Sequence, residues 1–266
     1  MNKALPIVFD VLYWLFFVVV YTAAGAAGLG VASALWGSSL GAHAFAIALG
    51  WIVFLHAFVV VLGLLRLLVQ PALEEGVSPI GANKGYVAWG FHSVFQGLYL
   101  AAPFREQIHF LFTLRYLHYR LSGMKLHLSN VIGTGAELRQ VELIEIGEKT
   151  VIGIRAAMSC HLNADGKSHR QARIRVGRES LIGALAQIGP GVTIGDRCVI
   201  GASSTISPDV RIGNDVKMGP GCIVRSGLTV GDGARLAAGS IVVSDVPAGA
   251  SLAGNPAVPL VKEASR

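Results

Sequence analysis

Charge is what this sequence has least of. Asp, Glu, Lys and Arg make up 14% of its 266 residues and hydrophobic side chains 53%, and the mean hydropathy is +0.57. Soluble domains carry about a quarter charged residues, so an ordinary soluble domain is excluded and part of the chain belongs in lipid. Between Asp10 and Arg66 there is no Asp, Glu, Lys or Arg at all. That run of about 55 residues accommodates two helices, each needing about 20 to cross the hydrocarbon. Cysteine is scarce as well. Cys160, Cys198 and Cys222 are far apart, which excludes a disulfide framework and a paired-cysteine zinc site and leaves buried small apolar residues. The net charge of +6 comes with no groove-reading motif, so anionic lipid, not nucleic acid, is the expected partner.

The two spans are expected at about 8–34 and 44–67, with a turn from Trp36 to His43 where glycine, serine and an interfacial tryptophan gather. A cleavable signal peptide is the competing reading of the first span; its apolar run is too long, and a second span follows. Lys3 precedes the first span and Arg66 and Lys84 follow the second, while the turn carries no Lys or Arg, which puts both ends in the cytoplasm. From Tyr86 to Gly123 aromatic residues alternate with Arg105, Arg115 and Arg120, as suits helices lying in the interface. A third span over 87–104 is the rival.

After Lys125 the composition turns to Gly, Val, Ile and small residues with a period of six. Val176-Gly177, Ile182-Gly183, Ile188-Gly189, Ile194-Gly195, Ile200-Gly201, Ile206-Ser207, Ile212-Gly213 and Met218-Gly219 follow without a slip, and Val224, Val230, Leu236 and Val242 continue the series. Each unit reads as a short strand whose aliphatic residue points into a triangular core, with glycine and small residues allowing the tight corners. Units at Ile146, Ile152 and Met158 share the register; at Ile132 the phase slips by two, which marks an irregular first coil. No helical periodicity appears in 126–245, so α/β folds are excluded. The register breaks once, between Met158 and Val176, where a polar stretch must leave the prism because its polar groups would go unsatisfied inside.

His161, the polar loop with Gly166, Ile174-Arg175-Val176-Gly177, Gly189-Pro190-Gly191-Val192-Thr193-Ile194-Gly195-Asp196 and the closing Ala253-Gly254-Asn255-Pro256-Ala257 resemble the galactoside and maltose O-acetyltransferase branch of the hexapeptide-repeat acyltransferases. The likeness covers about 126–262 well, and the first 125 residues are only loosely similar to membrane-tethered relatives of that branch. It implies a left-handed parallel β-helix, against the usual right-handed crossover rule, and a homotrimer. It also implies acetyl-CoA or another acyl-CoA as donor, no metal, and His161 as general base. Ala184, Ala202, Lys217 and Arg225 are the expected donor-binding residues; Arg211 and Lys262 are further candidates. The sequence departs from the family where Ala184 replaces a frequent serine, Pro208 a lysine and Val258 an arginine. Asn163, Asp165 and His169 are the candidate acceptor-binding residues. His169 among Lys167, Arg170 and Arg173 reads as part of a solvated basic loop or as a contact to acceptor phosphate, and His127 lies outside the regular register.

The expected organisation is therefore two transmembrane helices (1–70), an interfacial helical linker (71–125), the β-helix (126–248) and a C-terminal tail (249–266). A thioester needs chiefly an oriented acceptor and a group to take its proton, which one imidazole supplies. The expected function is acyl transfer to a hydroxyl or amine of a membrane-borne acceptor, such as a lipid-linked saccharide or envelope precursor. The expected location is the inner membrane, multi-pass, with the β-helix in the cytoplasm. A long-chain enzyme fed by acyl carrier protein and a non-catalytic trimeric membrane scaffold remain open alternatives.

Overall fold

The computed structural model describes residues 4–81, 83–163 and 165–260, and they form two compact units. Lys3 and Lys262 lie outside the described residues.

The first unit is helical, comprising residues up to Leu73 and from Pro79 to Gly123. Helices α1 (Ala4–Ala34) and α2 (Leu40–Val69) match the expected spans, each running a few residues longer at one or both ends. Ser39, within the expected turn, caps α2 by accepting the amide of Ala42 at 3.2 Å. Both helices are long and apolar enough to cross a membrane. They meet at Gly28 and Gly50, where a Cβ on either glycine would stand 2.6 Å from the carbonyl oxygen of the other; small residues are what let helix backbones approach this closely. Helices α3 (Lys84–Leu100), α4 (Arg105–Phe110) and α5 (Phe112–Leu121) fill the region read as interfacial. Phe16, Val20, Leu55, Phe58, Leu98 and Ile108 are among the shared buried core.

The second unit, residues 74–78 and 124 onward, is a left-handed parallel β-helix of about seven turns. Ile182, Ile200, Met218 and Leu236 stack in register on one face, Ile188, Ile206, Val224 and Val242 on the second, and Val176, Ile194, Ile212 and Val230 on the third. All twelve are buried. The six-residue period thus becomes three aliphatic columns of a closed prism, each strand paired with the coils on either side.

Glycine does two jobs here, of which only the corner is read in the sequence. The glycine after each aliphatic residue is not the corner residue; a Cβ on Gly183 would meet the backbone nitrogen of Ala202 in the next coil at 2.5 Å. The left-handed corner conformation falls on glycine at Gly191, Gly221, Gly227, Gly233 and Gly239, as expected, and on Leu185, Arg197, Ser203, Asp209 and Asp215 at other corners, all at positive φ. The first coil is irregular as expected: Leu138 pairs with Met158, a spacing of 20 against the 18 between Ile188 and Ile206, and a short 3-10 helix spans Val141–Leu143. At the far end Ser251–Ala253 forms a further strand on the first face, so the prism continues past residue 248; Val258–Pro259 folds back antiparallel over it. The three cysteines are fully buried, as expected.

Candidate active site

The interruption of the repeat is visible in the pairing. Ile152 stacks on Ile182 and Ile182 on Ile200, so 30 residues separate the first pair and 18 the second, and the difference is extruded after Met158. It forms a hairpin of His161–Leu162 against Ser168–Gln171, with His161 opposite Gln171. A third strand, Gly76–Pro79, lies on the other side of Ser168–Gln171. That strand belongs to the stretch read as a helical linker.

His161 is half-buried at the base of the hairpin. Its Nδ1 stands 2.8 Å from Gln140 Oε1 and 3.1 Å from Ser159 Oγ. An amide oxygen only accepts, so Nδ1 carries the ring proton and Nε2 is the nitrogen that can receive one. Gln140 is itself buried, in the left-handed region at φ 54° in the irregular first coil.

The ring of His169 lies 5.5 Å from that of His161, and the solvated-loop reading of His169 is overturned. It has no exposed surface. Its Nδ1 donates to Asn163 Oδ1 at 2.7 Å, and its Nε2 accepts from the Gln171 amide at 3.1 Å. Burial, with the nearby charge of His161, pushes its pKa down to about 4, so at neutral pH it is an uncharged ring in one tautomer. A histidine amid cations reads as surface by composition; alternation along its strand turns it inward while Arg170 turns out.

Asn163 is thus engaged with His169. Asp165 closes the hairpin tip, accepting from the amides of Lys167 and Ser168 at 2.9 and 2.7 Å and from Ser168 Oγ at 2.8 Å. Those bonds, the Ser168 amide foremost, hold its carboxyl down at about 2. The hairpin is pinned to the prism by Arg170, whose guanidinium forks onto Asp209 at 2.5 and 2.8 Å. Arg173 bonds Glu75 through its amide and its Nε, both at 3.0 Å, and reaches Glu145 Oε1 at 3.1 Å. Burial works to raise the Glu75 carboxyl, but the bonds from Arg173 outweigh it and leave it below the ordinary range.

The expected donor residues do not converge within one chain. Arg225 is exposed at the corner after the second face, the corner from which the hairpin leaves. Ala184 and Ala202 stack at the corner between the first and second faces, and Lys217 is exposed on the first face beside Arg235. Arg211 is exposed on the third face. His127 stays in the first coil, 3.2 Å from Ser129 Oγ. Among the described residues no group of three or more His, Cys, Asp or Glu could hold a metal ion. Sequence reasoning missed Gln140, Gln171, Glu75 and the strand Gly76–Pro79; no local motif marks any of them.

Two family models match adjoining segments: the bacterial transferase hexapeptide (six repeats) over residues 173–208 and the hexapeptide repeat of succinyl-transferase over 209–244. No curated protein matches the chain. Solved structures of similar fold include the acetyltransferase domain of PglB from Neisseria gonorrhoeae in complex with acetyl coenzyme A. That match is 23% identical with a TM-score of 0.43, over 56% of this chain and 65% of the other. PerB from Caulobacter crescentus in complex with CoA and GDP-perosamine is 22% identical with a TM-score of 0.38, over 56% and 65%. A hexapeptide-repeat-containing acetyltransferase from Vibrio cholerae is 22% identical with a TM-score of 0.44, over 68% and 93%. The chain thus spans just under two-thirds of the length of the first of these. Residues 173–244 are accordingly hexapeptide-repeat sequence of the bacterial transferase kind, wound as a left-handed β-helix.

Proposed function

We propose that this protein is an acetyltransferase or related acyltransferase, moving an acyl group from a CoA thioester to a hydroxyl or amine, with His161 as general base. The observation that carries this is the committed Nδ1 of His161: Gln140 holds the ring proton there at 2.8 Å, which directs Nε2 to the proton of the incoming nucleophile. The setting is a transferase-type hexapeptide prism. Nε2 removes the proton as the acceptor's oxygen or nitrogen attacks the thioester carbonyl. The tetrahedral adduct then expels the CoA thiolate, which takes the proton back from the imidazolium. The neutral, buried His169 beside it keeps a second positive charge out of the site. Sugars are the substrate class we assign to the acceptor, within a membrane-borne molecule such as a lipid-linked saccharide or envelope precursor.

The helices support the membrane part of this reading. A soluble protein's core helices are mostly buried, yet only 17% and 28% of the most apolar windows of α1 and α2 are buried, and Trp14, Leu15, Val18, Ile52, Leu64 and Leu68 face outward. We place both helices across the inner membrane with the β-helix in the cytoplasm, where CoA thioesters are found. On the prism, outward apolar residues Val131, Leu181, Ile154 and Leu185 cluster at the first face and its corner. Their exposure supports a homotrimer that would bury them against further copies, and in which Ala184 and Ala202 of one protomer would line a donor groove shared with its neighbour.

The test is transfer from acetyl-CoA to lipid-linked sugar by the full-length protein in detergent or vesicles, with product identified by mass. His161→Ala is expected to lower the rate about 10²- to 10⁴-fold while leaving CoA binding in place. An undiminished rate in that variant removes the general-base reading, and a parent protein that transfers nothing favours the scaffold.

A further inference from the structure

We propose that Glu75 and the strand Gly76–Pro79 form a tether that sets the position of His161, with Glu75 a positioning residue for transfer. This rests on the reading of His161 as base.

Covalently, the segment is a bridge between helices: α2 ends at Val69 and α3 begins at Lys84. Yet residues 74–78 pack with the β-helix, and Gly76–Pro79 is the outer strand of the sheet whose other members carry His169 and His161. A two-stranded hairpin alone is marginally stable in water, and a third strand is what gives such a sheet independent stability. Without the tether, Ser168–Gln171 would be an edge strand, and its partner His161–Leu162 is only two residues long. The imidazole of His161 would then rest on Gln140, on Ser159 and on a loosened hairpin.

Two further contacts hold the third strand in place. Glu75 closes on Arg173 twice, once on its backbone amide and once on Nε, fixing the residue at which the hairpin rejoins the prism. Ser78 Oγ points at the carbonyl of His169, 3.5 Å away. Arg170 pins the same strand to the prism through Asp209, so the hairpin is gripped on one side by the β-helix and on the other by residues 75–78. Charge-assisted bonds of this kind are the strong ones. Glu75 touches neither His161 nor His169, so its influence on transfer runs through the sheet.

The experiment compares the parent with Glu75→Ala, Glu75→Gln and Val77→Pro, all as full-length protein. Val77 is exposed, so proline there constrains the backbone of the third strand and leaves the core untouched. Amide exchange without substrate is expected to quicken about tenfold at residues 168–173 in Glu75→Ala and Val77→Pro, and less in Glu75→Gln, which keeps an acceptor for the Arg173 amide. Turnover at saturating substrate should fall about tenfold, the KM for the thioester should stay within about twofold, and the melting of the prism should not change. Exchange at the parent rate in both Glu75→Ala and Val77→Pro overturns the tether. Faster exchange with undiminished turnover overturns the positioning role. Exchange reports on the tether with no substrate present, so a parent protein without transferase activity counts against the acyltransferase reading alone.

Discussion

Replacing Gln140 by Glu puts a carboxylate where a neutral amide now holds the ring proton of His161, with almost no change of shape. The left-handed backbone at φ 54° strains both residues alike, and the 2.8 Å contact to Nδ1 is kept. What changes is charge. An anion in contact with an imidazole favours the imidazolium, by about one to three pKa units for opposite charges this close. A base must be neutral to act, so the acid limb of the pH–rate profile should move upward by that amount. Each unit is about 1.4 kcal/mol, so the rate at a pH below both limbs should fall about 10- to 10³-fold. Above the new limb it should return to the parent rate or exceed it, because the ring is then the stronger base. The assay is initial rate against pH at subsaturating acceptor, with Gln140→Leu alongside; that variant removes the acceptor without adding charge and should lower the rate with no upward move of the limb. An acid limb that stays where it was in Gln140→Glu refutes the reasoning, because the titrating base is then not in contact with residue 140.

Two further perturbations test the surroundings. His169 titrates near 4 when folded, burial being the main cause, and near 6.5 when unfolded. The unfolded chain therefore binds this proton first as pH falls, and stability should drop by about 1.4 kcal/mol per unit between about pH 6.5 and 4, about 3 kcal/mol in all. Denaturant titrations across that window measure the slope, and a His169→Gln variant that keeps it would assign it elsewhere. In the helical unit, Gly28→Val places a Cβ 2.6 Å from the carbonyl oxygen of Gly50. Separating α1 from α2 should cost about 1–3 kcal/mol, read as a lower melting temperature in detergent; an unchanged melting point would mean that the close approach is not made.

The prism was legible because its information is local and repeated. An aliphatic residue every six positions is meaningful only if it stacks, and Ile182, Ile200 and Met218 do so in the register that the spacing implies. The extrusion after Met158 was legible as a polar interruption, and His161 stands at its base. Its surroundings were not legible. Gln140 lies 21 residues earlier in the chain, in the coil whose spacing departs from the repeat, so periodicity gives it no address. The strand Gly76–Pro79 pairs with residues some 90 positions later, and nothing in four residues of extended chain announces a partner. His169 was misread for a related reason. Lys167, Arg170 and Arg173 lie close to it in sequence, but side chains alternate along a strand, and His169 shares the buried face with Gln171 while Arg170 takes the other.

The choice of an amide at position 140 is itself informative. Orienting a histidine base requires an acceptor at Nδ1; a carboxylate does this and also raises the ring's basicity, at the cost of a larger protonated fraction at neutral pH. A thioester has a good leaving group, so proton removal needs a correctly placed imidazole more than an unusually strong one. Gln140 supplies the tautomer without the charge, and His169, kept neutral by burial and oriented by Asn163 and Gln171, adds none. Both buried partners of His161 are thus uncharged, while the ion pairs Arg170–Asp209 and Arg173–Glu75 hold the hairpin from outside. Function at this site then depends on how firmly one imidazole is held, which is why the third strand of a small sheet should matter to turnover although it does not touch the substrate.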